Sequence, residues 1–249
     1  MVENDYFIRF LDVTKAFGSK QVLDGVRLEI RRGETVVVLG GSGSGKSVLL
    51  RHTIGLHRPD SGKVWVDGRD ITDLDEEALI DTRKQVGMLF QAGALFDSMT
   101  VEANVGYALR EHTDWDEEKI RERIAQVLQF VELEKVEHLM PADLSGGMRK
   151  RVALARAIAL APRALLYDEP TTGLDPITAN TINRLICSLQ KRLGVTSIVV
   201  THDIHSAMTV GDRIAFLCDG RIHFDGTVEQ AKASREPLLR NFLQGGGYA

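Results

Sequence analysis

The sequence predicts an α/β fold with a helical lobe inserted into it, on three observations. Short apolar runs at 35–39, 164–167 and 196–200 read as buried strands, and each ends in polar residues. Segments with apolar residues three and four apart alternate with them, the pattern of a mostly parallel sheet with crossover helices. From Ala92 to about Leu160 the strand pattern stops and the apolar spacing is helical. A core in residues 1–91 and 158–249, with a helical lobe in residues 92–157, fits one domain of 249 residues.

Residues 7–11 and 26–30 alternate apolar and polar, as half-buried strands do. Lys15-Ala16-Phe17-Gly18 reads as the turn between them, and Phe17 there either stacks on an adenine ring or packs at the edge of the core. The run 35–39 feeds Gly40-Gly41-Ser42-Gly43-Ser44-Gly45-Lys46-Ser47, which fits G-x-x-x-x-G-K-[ST]. A helix follows, with Leu50 and Ile54 on one face. Strand before and helix after are the context this phosphate-binding loop requires. Its glycines let successive N–H groups turn inward around a phosphate at the positive end of a helix dipole. Lys46 then reaches the β- and γ-phosphates of a nucleoside triphosphate, and Ser47 offers its hydroxyl to Mg²⁺.

Residues 58–62 break the chain, 63–68 form a short strand running into a turn, and 85–90 form a strand closing on Gln91. In the lobe, Ile120, Ile124, Val127, Leu128 and Val131 share a helical face, and Asp116 before Glu117 and Glu118 is an N-cap. Leu144-Ser145-Gly146-Gly147-Met148 opens another helix, with Val152, Ala155, Ile158 and Ala159 as its apolar stripe. Ser145, Gly146 and Gly147 at a helix N-terminus make a second anion site; as a plain N-cap the two glycines would only weaken the helix. After the strand at 164–167 comes Asp168-Glu169-Pro170, then a helix over 178–193 with Ile182, Leu185, Ile186, Leu189 and Leu193 inward. The strand at 196–200 ends in Thr201-His202-Asp203, and runs at 213–217 and 220–224 flank Asp219-Gly220 as a hairpin. The tail, Gly245 to Ala249, is expected to fray.

A net charge of −4 argues against non-specific nucleic-acid binding through bulk charge. No apolar run approaches the roughly 20 residues that span a bilayer, and the polar N-terminus does not resemble a signal peptide. Cys187 and Cys218 lie on apolar segments without close spacing and read as free thiols in a reducing compartment.

In an open parallel sheet, ligands bind beyond the carboxyl ends of the strands. Here those ends carry the loop 40–47, Gln91, Asp168-Glu169 and His202. Phosphoryl transfer to water needs charge neutralisation, a positioned water and a base. Asp168 matches the position that holds Mg²⁺ together with Ser47, and Glu169 the group that polarises the water. Gln91 bridges the ion and that water, and His202 bonds the γ-phosphate and orients the base.

Taken together, these residues resemble the ATP-binding-cassette (ABC) ATPases over nearly the whole chain. Gly40 to Ser47 resembles the Walker A loop and Gln91 the Q-loop. Leu144-Ser145-Gly146-Gly147 resembles the signature motif, and residues 165–169 resemble Walker B with its catalytic glutamate. Thr172-Gly173-Leu174-Asp175 resembles the D-loop, His202 the switch histidine and Phe17 the A-loop aromatic. The resemblance implies a RecA-like P-loop NTPase core with an antiparallel β subdomain and an inserted helical subdomain. It implies ATP and Mg²⁺ as ligands. A second copy of the chain binds head-to-tail, so that Ser145 and Gly147 act on the partner's nucleotide and Asp175 lies at the composite site. Met148 departs from the family's usual glutamine.

The stretch Leu89 to Val101, Leu144 to Ala153, and Arg110-Glu111-His112 are similar to the ATPases of Mla-type lipid transporters. That implies a peripheral subunit at the cytoplasmic face of the inner membrane. A permease would dock near residues 91–101, accompanied by MCE-domain and STAS-domain proteins, with phospholipid as cargo and no nucleic acid. The basic run 149–151 is expected on solvated or permease-facing helix surface. The alternatives are the ATPase of a small-solute importer, which shares every catalytic residue, and a soluble ABC ATPase of DNA repair or translation. The latter tend to carry coiled coils or a second cassette, and this chain has neither.

Overall fold

The computed structural model describes residues 5–245, so the expected fraying beyond Gly245 lies outside the described residues. β1 (Tyr6–Phe17) and β2 (Lys20–Arg31) form an antiparallel hairpin in which Phe17 pairs with Lys20. The turn is therefore Gly18-Ser19, shorter than expected. Gly18 sits at φ +60, left-handed backbone that glycine adopts without cost. β3 (Thr35–Leu39) leads to α1 (Lys46–His52), and β4 (Ser61–Val66) and β5 (Arg69–Asp70) follow.

Next come α2 (Glu76–Gln85) and β6 (Val86–Leu89). The expected strand from 85 is one residue short at its start, because Gln85 closes α2. That helix has only Leu79 and Thr82 buried, too little for an apolar period to register. Its legible signal is the cap: the Asp75 side chain accepts from Ala78 N, with Glu76 and Glu77 in the first turn.

In the lobe, α3 (Val101–His112), α4 (Glu117–Phe130), a 3₁₀ turn (Pro141–Asp143) and α5 (Gly146–Ile158) are joined by irregular segments, so helix is less continuous than the periodicity indicated. Asp116 caps α4 as expected, accepting from Lys119 N, and all five apolar residues of that face are buried. β7 (Ala164–Asp168), α6 (Pro176–Leu193), β8 (Thr196–Thr201) and α7 (Ile204–Val210) resume the core. β9 (Arg213–Cys218) and β10 (Arg221–Thr227) are the hairpin, and α8 (Val228–Lys232) and α9 (Pro237–Leu243) end the described chain. Leu193, expected inward, is 45% exposed at the last turn of α6, just before Gly194 takes the left-handed C-cap. Among the described residues no helix is long and apolar enough to cross a membrane. Both cysteines are free, Cys218 buried and Cys187 half-buried.

The strands form two sheets. One is four-stranded and antiparallel, in the order β2-β1-β4-β5; the other is six-stranded, in the order β10-β9-β3-β8-β7-β6, parallel except at the β10 edge. β3, β7 and β8 are buried along their whole length, and the two-residue period of a strand divides their side chains between the faces. Val36, Val38, Leu166, Ile198 and Val200 pack with the antiparallel sheet and α1. Val37, Leu39, Leu165, Tyr167 and Val199 pack with α6, α7 and the helices of the lobe.

His52 closes α1 at 1% exposure. Its Nδ1 donates to Val48 O at 2.7 Å, and Nε2 is buried with no partner among the described residues. A second proton would lie on that unpartnered atom, so burial pushes the imidazole down to about 4; nearby His57 and Lys15 lower it further, while the Val48 carbonyl and Asp60 oppose them. The unfolded chain then binds the proton that the folded chain refuses. Stability is expected to fall as pH drops from about 6.5 towards 4, by on the order of 3 kcal/mol from this group. Urea midpoints measured between pH 7 and 4.5 should fall less steeply in His52→Leu than in the wild type.

Candidate functional site

The parallel register sets the site. Leu39 pairs with Thr201 across β3 and β8, and Asp168 pairs with Val200 across β7 and β8, so the three carboxyl ends finish level. The chain leaves β3 through Gly40, whose missing Cβ would stand 2.2 Å from Leu217 O on β9. Gly45, at φ +102, is the N-cap of α1, and no side chain caps that helix. A Cβ on Gly45 would lie 2.7 Å from Val22 O, so β2 presses on the loop from its other side. Gly43, at φ +79, faces open space. The uncapped N–H groups of α1 and the loop between these two close approaches form a concave run of backbone suited to a phosphate.

Lys46 is 5% exposed and folds back on its own loop. Its Nζ donates to Gly40 O at 2.9 Å and Gly41 O at 2.8 Å, and lies 3.5 Å from Glu169 Oε1. Burial pulls its pKa down, and the carboxylates of Glu169 and Asp168 oppose that pull. Ser47 Oγ donates to Asp168 Oδ1 at 2.6 Å. These two oxygens fit an Mg²⁺ ion, which takes one or two carboxylates and completes its shell with water and phosphate oxygens. No denser cluster of metal-binding side chains exists among the described residues.

Glu169 has φ +48, a left-handed conformation that costs a non-glycine residue roughly 1–2 kcal/mol. Its N–H donates to Val200 O at 2.9 Å, which continues the β7–β8 pairing while the chain turns. The turned side chain lies under His202, with Nδ1 2.9 Å from Oε2. Thr172 Oγ1 at 3.2 Å and Thr201 Oγ1 at 3.3 Å also donate to Oε2. Lys46, Ser47, Gln91, Glu169 and His202 thus line one cleft of about 250 Å³.

Phe17 lies outside that lining. It is 46% exposed, too open for a core residue, and its ring meets His57 edge-on with centroids 5.4 Å apart. Ser145, Gly146, Gly147 and Asp175 also lie outside it. Ser145 and Gly146 are exposed, and Ser145 Oγ caps α5 by accepting from Met148 N at 3.2 Å. Asp175 caps α6, accepting from Ile177 N and Thr178 N at 3.0 Å and from Thr178 Oγ1 at 2.5 Å; these bonds hold its carboxyl below the usual range.

Two expectations about the signature segment need correction. Gly147 has a reason within its own chain: a Cβ there would stand 2.4 Å from Thr178 Cγ2. Gly146 would meet nothing closer than Leu174 Cδ2 at 3.7 Å, so its backbone is bare by choice of residue rather than by packing. The run 149–151 is not uniformly solvated either. Arg149 is exposed and Arg151 donates to Glu132 O at 2.8 Å, but Lys150 is 6% exposed, and its Nζ donates to Gln91 O and to Glu169 O. Its signal in the sequence was position: Gly147, Lys150, Leu154 and Ile158 follow helical spacing along the buried side of α5. Met148 is half-buried against the core, packing where the family's usual glutamine would be polar.

A phosphate cradle at the end of β3, a carboxylate facing its serine and a buried glutamate beneath a histidine define a P-loop nucleoside triphosphatase. The family model described as ABC transporter matches residues 23–172, and the chain belongs to that family. It is 42% identical over 233 residues to the "probable ribonucleotide transport ATP-binding protein mkl" of Mycobacterium leprae, covering 94% of this chain and 67% of that one. To the "intermembrane phospholipid transport system ATP-binding protein MlaF" of Escherichia coli K12 it is 40% identical over 234 residues, covering 94% of this chain and 87% of that one. The ATP-binding cassette MJ0796, solved as a dimer bound to ADP and Pi, superposes with a TM-score of 0.82 at 36% identity, covering 89% of this chain and 98% of that one. The chain is therefore the ATP-binding, ATP-hydrolysing subunit of an ABC transporter.

The contact at Gly147 makes a prediction about folding alone. Thr178 is tied to Asp175 and cannot swing its methyl aside, so Gly147→Ala should lower the unfolding free energy by about 1–3 kcal/mol in urea. Thr178→Ser in the same chain removes the methyl and should recover most of the loss. Gly146→Ala should leave the midpoint nearly unchanged.

Proposed function

We propose that this subunit powers movement of phospholipid between the inner and outer membranes, as half of a head-to-tail pair on the cytoplasmic face of a permease. The observation that carries the reading is the 40% identity to the MlaF protein over 94% of this chain and most of that one. The dimer of MJ0796 supports the pairing. In this reading residues 92–157 are the lobe that carries the signature motif, and the surface around residues 91–101 receives the permease. MCE-domain and STAS-domain proteins complete the assembly. The peripheral position agrees with the absence, among the described residues, of a helix fit to cross a bilayer.

ATP enters between the loop 40–47 of one copy and Ser145, Gly146 and Gly147 of the other, with Asp175 beside them and Phe17 under the base. Lys46 exchanges its contacts with the Gly40 and Gly41 carbonyls for phosphate oxygens, and α1 presents its uncapped N–H groups. Ser47 and Asp168, with Gln91, would hold Mg²⁺, which would supply neutralisation of the charge on the phosphate oxygens. Glu169 takes a proton from the attacking water, and His202 holds that carboxylate through Nδ1. The left-handed backbone at Glu169 is what turns the carboxylate into the cleft.

A second reading rests on the mycobacterial relative named for ribonucleotide transport, which at 42% identity supports a small-solute importer with the same hydrolytic residues. Co-purification of the tagged subunit from native membranes separates the two. A permease with an MCE-domain protein and bound phospholipid is expected; a solute permease without lipid would establish the second reading.

The residue roles make two further predictions. Glu169→Gln should reduce steady-state ATP hydrolysis at least about 100-fold and accumulate an ATP-bound dimer on gel filtration. Turnover near the wild-type rate would remove Glu169 as the base. Lys46→Ala should weaken ATP binding at least about tenfold by calorimetry.

A further inference from the structure

Lys150 enters none of the roles above, yet its ammonium sits where three functional segments meet. It belongs to α5, which begins at the signature glycines. One of its bonds reaches the carbonyl of Gln91, and another reaches the carbonyl of Glu169 at 3.4 Å. Burying an ammonium carries a large desolvation penalty unless its donors find acceptors. Here the acceptors are two backbone oxygens, and neither lies on its own helix. Burial pulls the Lys150 pKa down, and the nearby carboxylates of Asp168 and Glu169 oppose that pull. Six residues further along, Arg156 donates to Gly93 O at 3.1 Å and Ala94 O at 2.8 Å, so the same helix grips the segment after β6 at both ends.

We propose that Lys150 is a positioning residue for hydrolysis, which fixes the Glu169 backbone in its left-handed turn and ties the start of the Q-loop to the signature helix. The inference rests on the reading of Glu169 as the group that activates water. Glu169 is then held at both ends by ammonium groups, its carboxylate near Lys46 and its carbonyl by Lys150. A rotation of α5 as the partner's nucleotide meets Ser145 reaches the carboxylate and Gln91 through one side chain. A lysine that served only to fill the interior would stabilise the fold without acting selectively on turnover.

The test uses the transporter complex purified with its membrane subunits. Lys150→Met should lower kcat for ATP at least about tenfold, with KM and calorimetric ATP affinity within about twofold of wild type. Lys150→Arg, which keeps charge and donors, should restore most of kcat. In single-turnover assays, adding Lys150→Met to Glu169→Gln should cause no further loss, because the residue acts through Glu169. Lys150→Gln replaces the methionine variant under the same criteria should the latter melt below the assay temperature. Near wild-type kcat in Lys150→Met, equal damage from Lys150→Arg, or an additive loss in the double variant would each overturn the inference. If Glu169→Gln alone turned over normally, the assigned base would fall, and the inference with it. An inactive Glu169→Gln beside a fully active Lys150→Met defeats the inference alone.

Discussion

Three neighbouring parallel strands, β3, β8 and β7, end level because Leu39 pairs with Thr201 and Asp168 with Val200. A slip of one residue in either pairing would turn every side chain of a strand to the opposite face. It would also carry Asp168 away from Ser47, or His202 away from Glu169. The register is held by two dry faces: Val36 and Val38 pack with the antiparallel sheet, while Val37 and Leu39 pack with α6, α7 and the lobe. A strand buried on both faces has no solvent side to which a slipped side chain could retreat. The hydrophobic core and the chemistry at the strand ends are therefore one constraint.

Charge is the second constraint. Lys46, Lys150, Asp168 and Glu169 are all under 10% exposed and lie within a few residues of one another across the strand ends. Isolated, any one of them would be driven towards its neutral form. Each ammonium instead takes backbone carbonyls, and each carboxylate takes hydroxyl or N–H donors, so no member of the group is buried without polar partners. Lys46 bonded to its own loop is pre-formed rather than collapsed. In the proposed role, replacing two carbonyls by phosphate oxygens would exchange neutral acceptors for charged ones at little cost in reorganisation.

Much of this was legible in the sequence because the informative residues sit at element boundaries, where spacing is short and the chemistry unusual. The loop 40–47, Asp168-Glu169 and His202 each follow an apolar run; Ser42, Gly43, Gly45, Lys46, Ser47, Glu169 and His202 meet in the cleft lining, and Asp168 is bonded to Ser47. Elements with little apolar surface were not legible: α2 buries two side chains, and α7, α8 and α9 are seven residues or shorter. Lys150 was misread because a basic run implies solvent, whereas its burial depends on carbonyls 59 and 19 residues away in the chain. Helical spacing with Gly147, Leu154 and Ile158 marks its side of α5 as buried, but no local pattern encodes the carbonyl partners. The left-handed turn at Glu169 is likewise invisible, since glutamate gives no sign of positive φ.

The glycines of the signature segment show how a motif can be shaped by two demands at once. Gly147 is bare because Thr178 occupies the space its side chain would need, and Thr178 is fixed there by Asp175 at the start of α6. Gly147 and the first turn of α6 are therefore packed against each other within one chain. Gly146 has no such neighbour and presents an open backbone beside the exposed Ser145. One glycine sets the distance between α5 and α6, and the other leaves room for something to approach from outside. In the head-to-tail pair proposed above, that approach would belong to the partner's triphosphate.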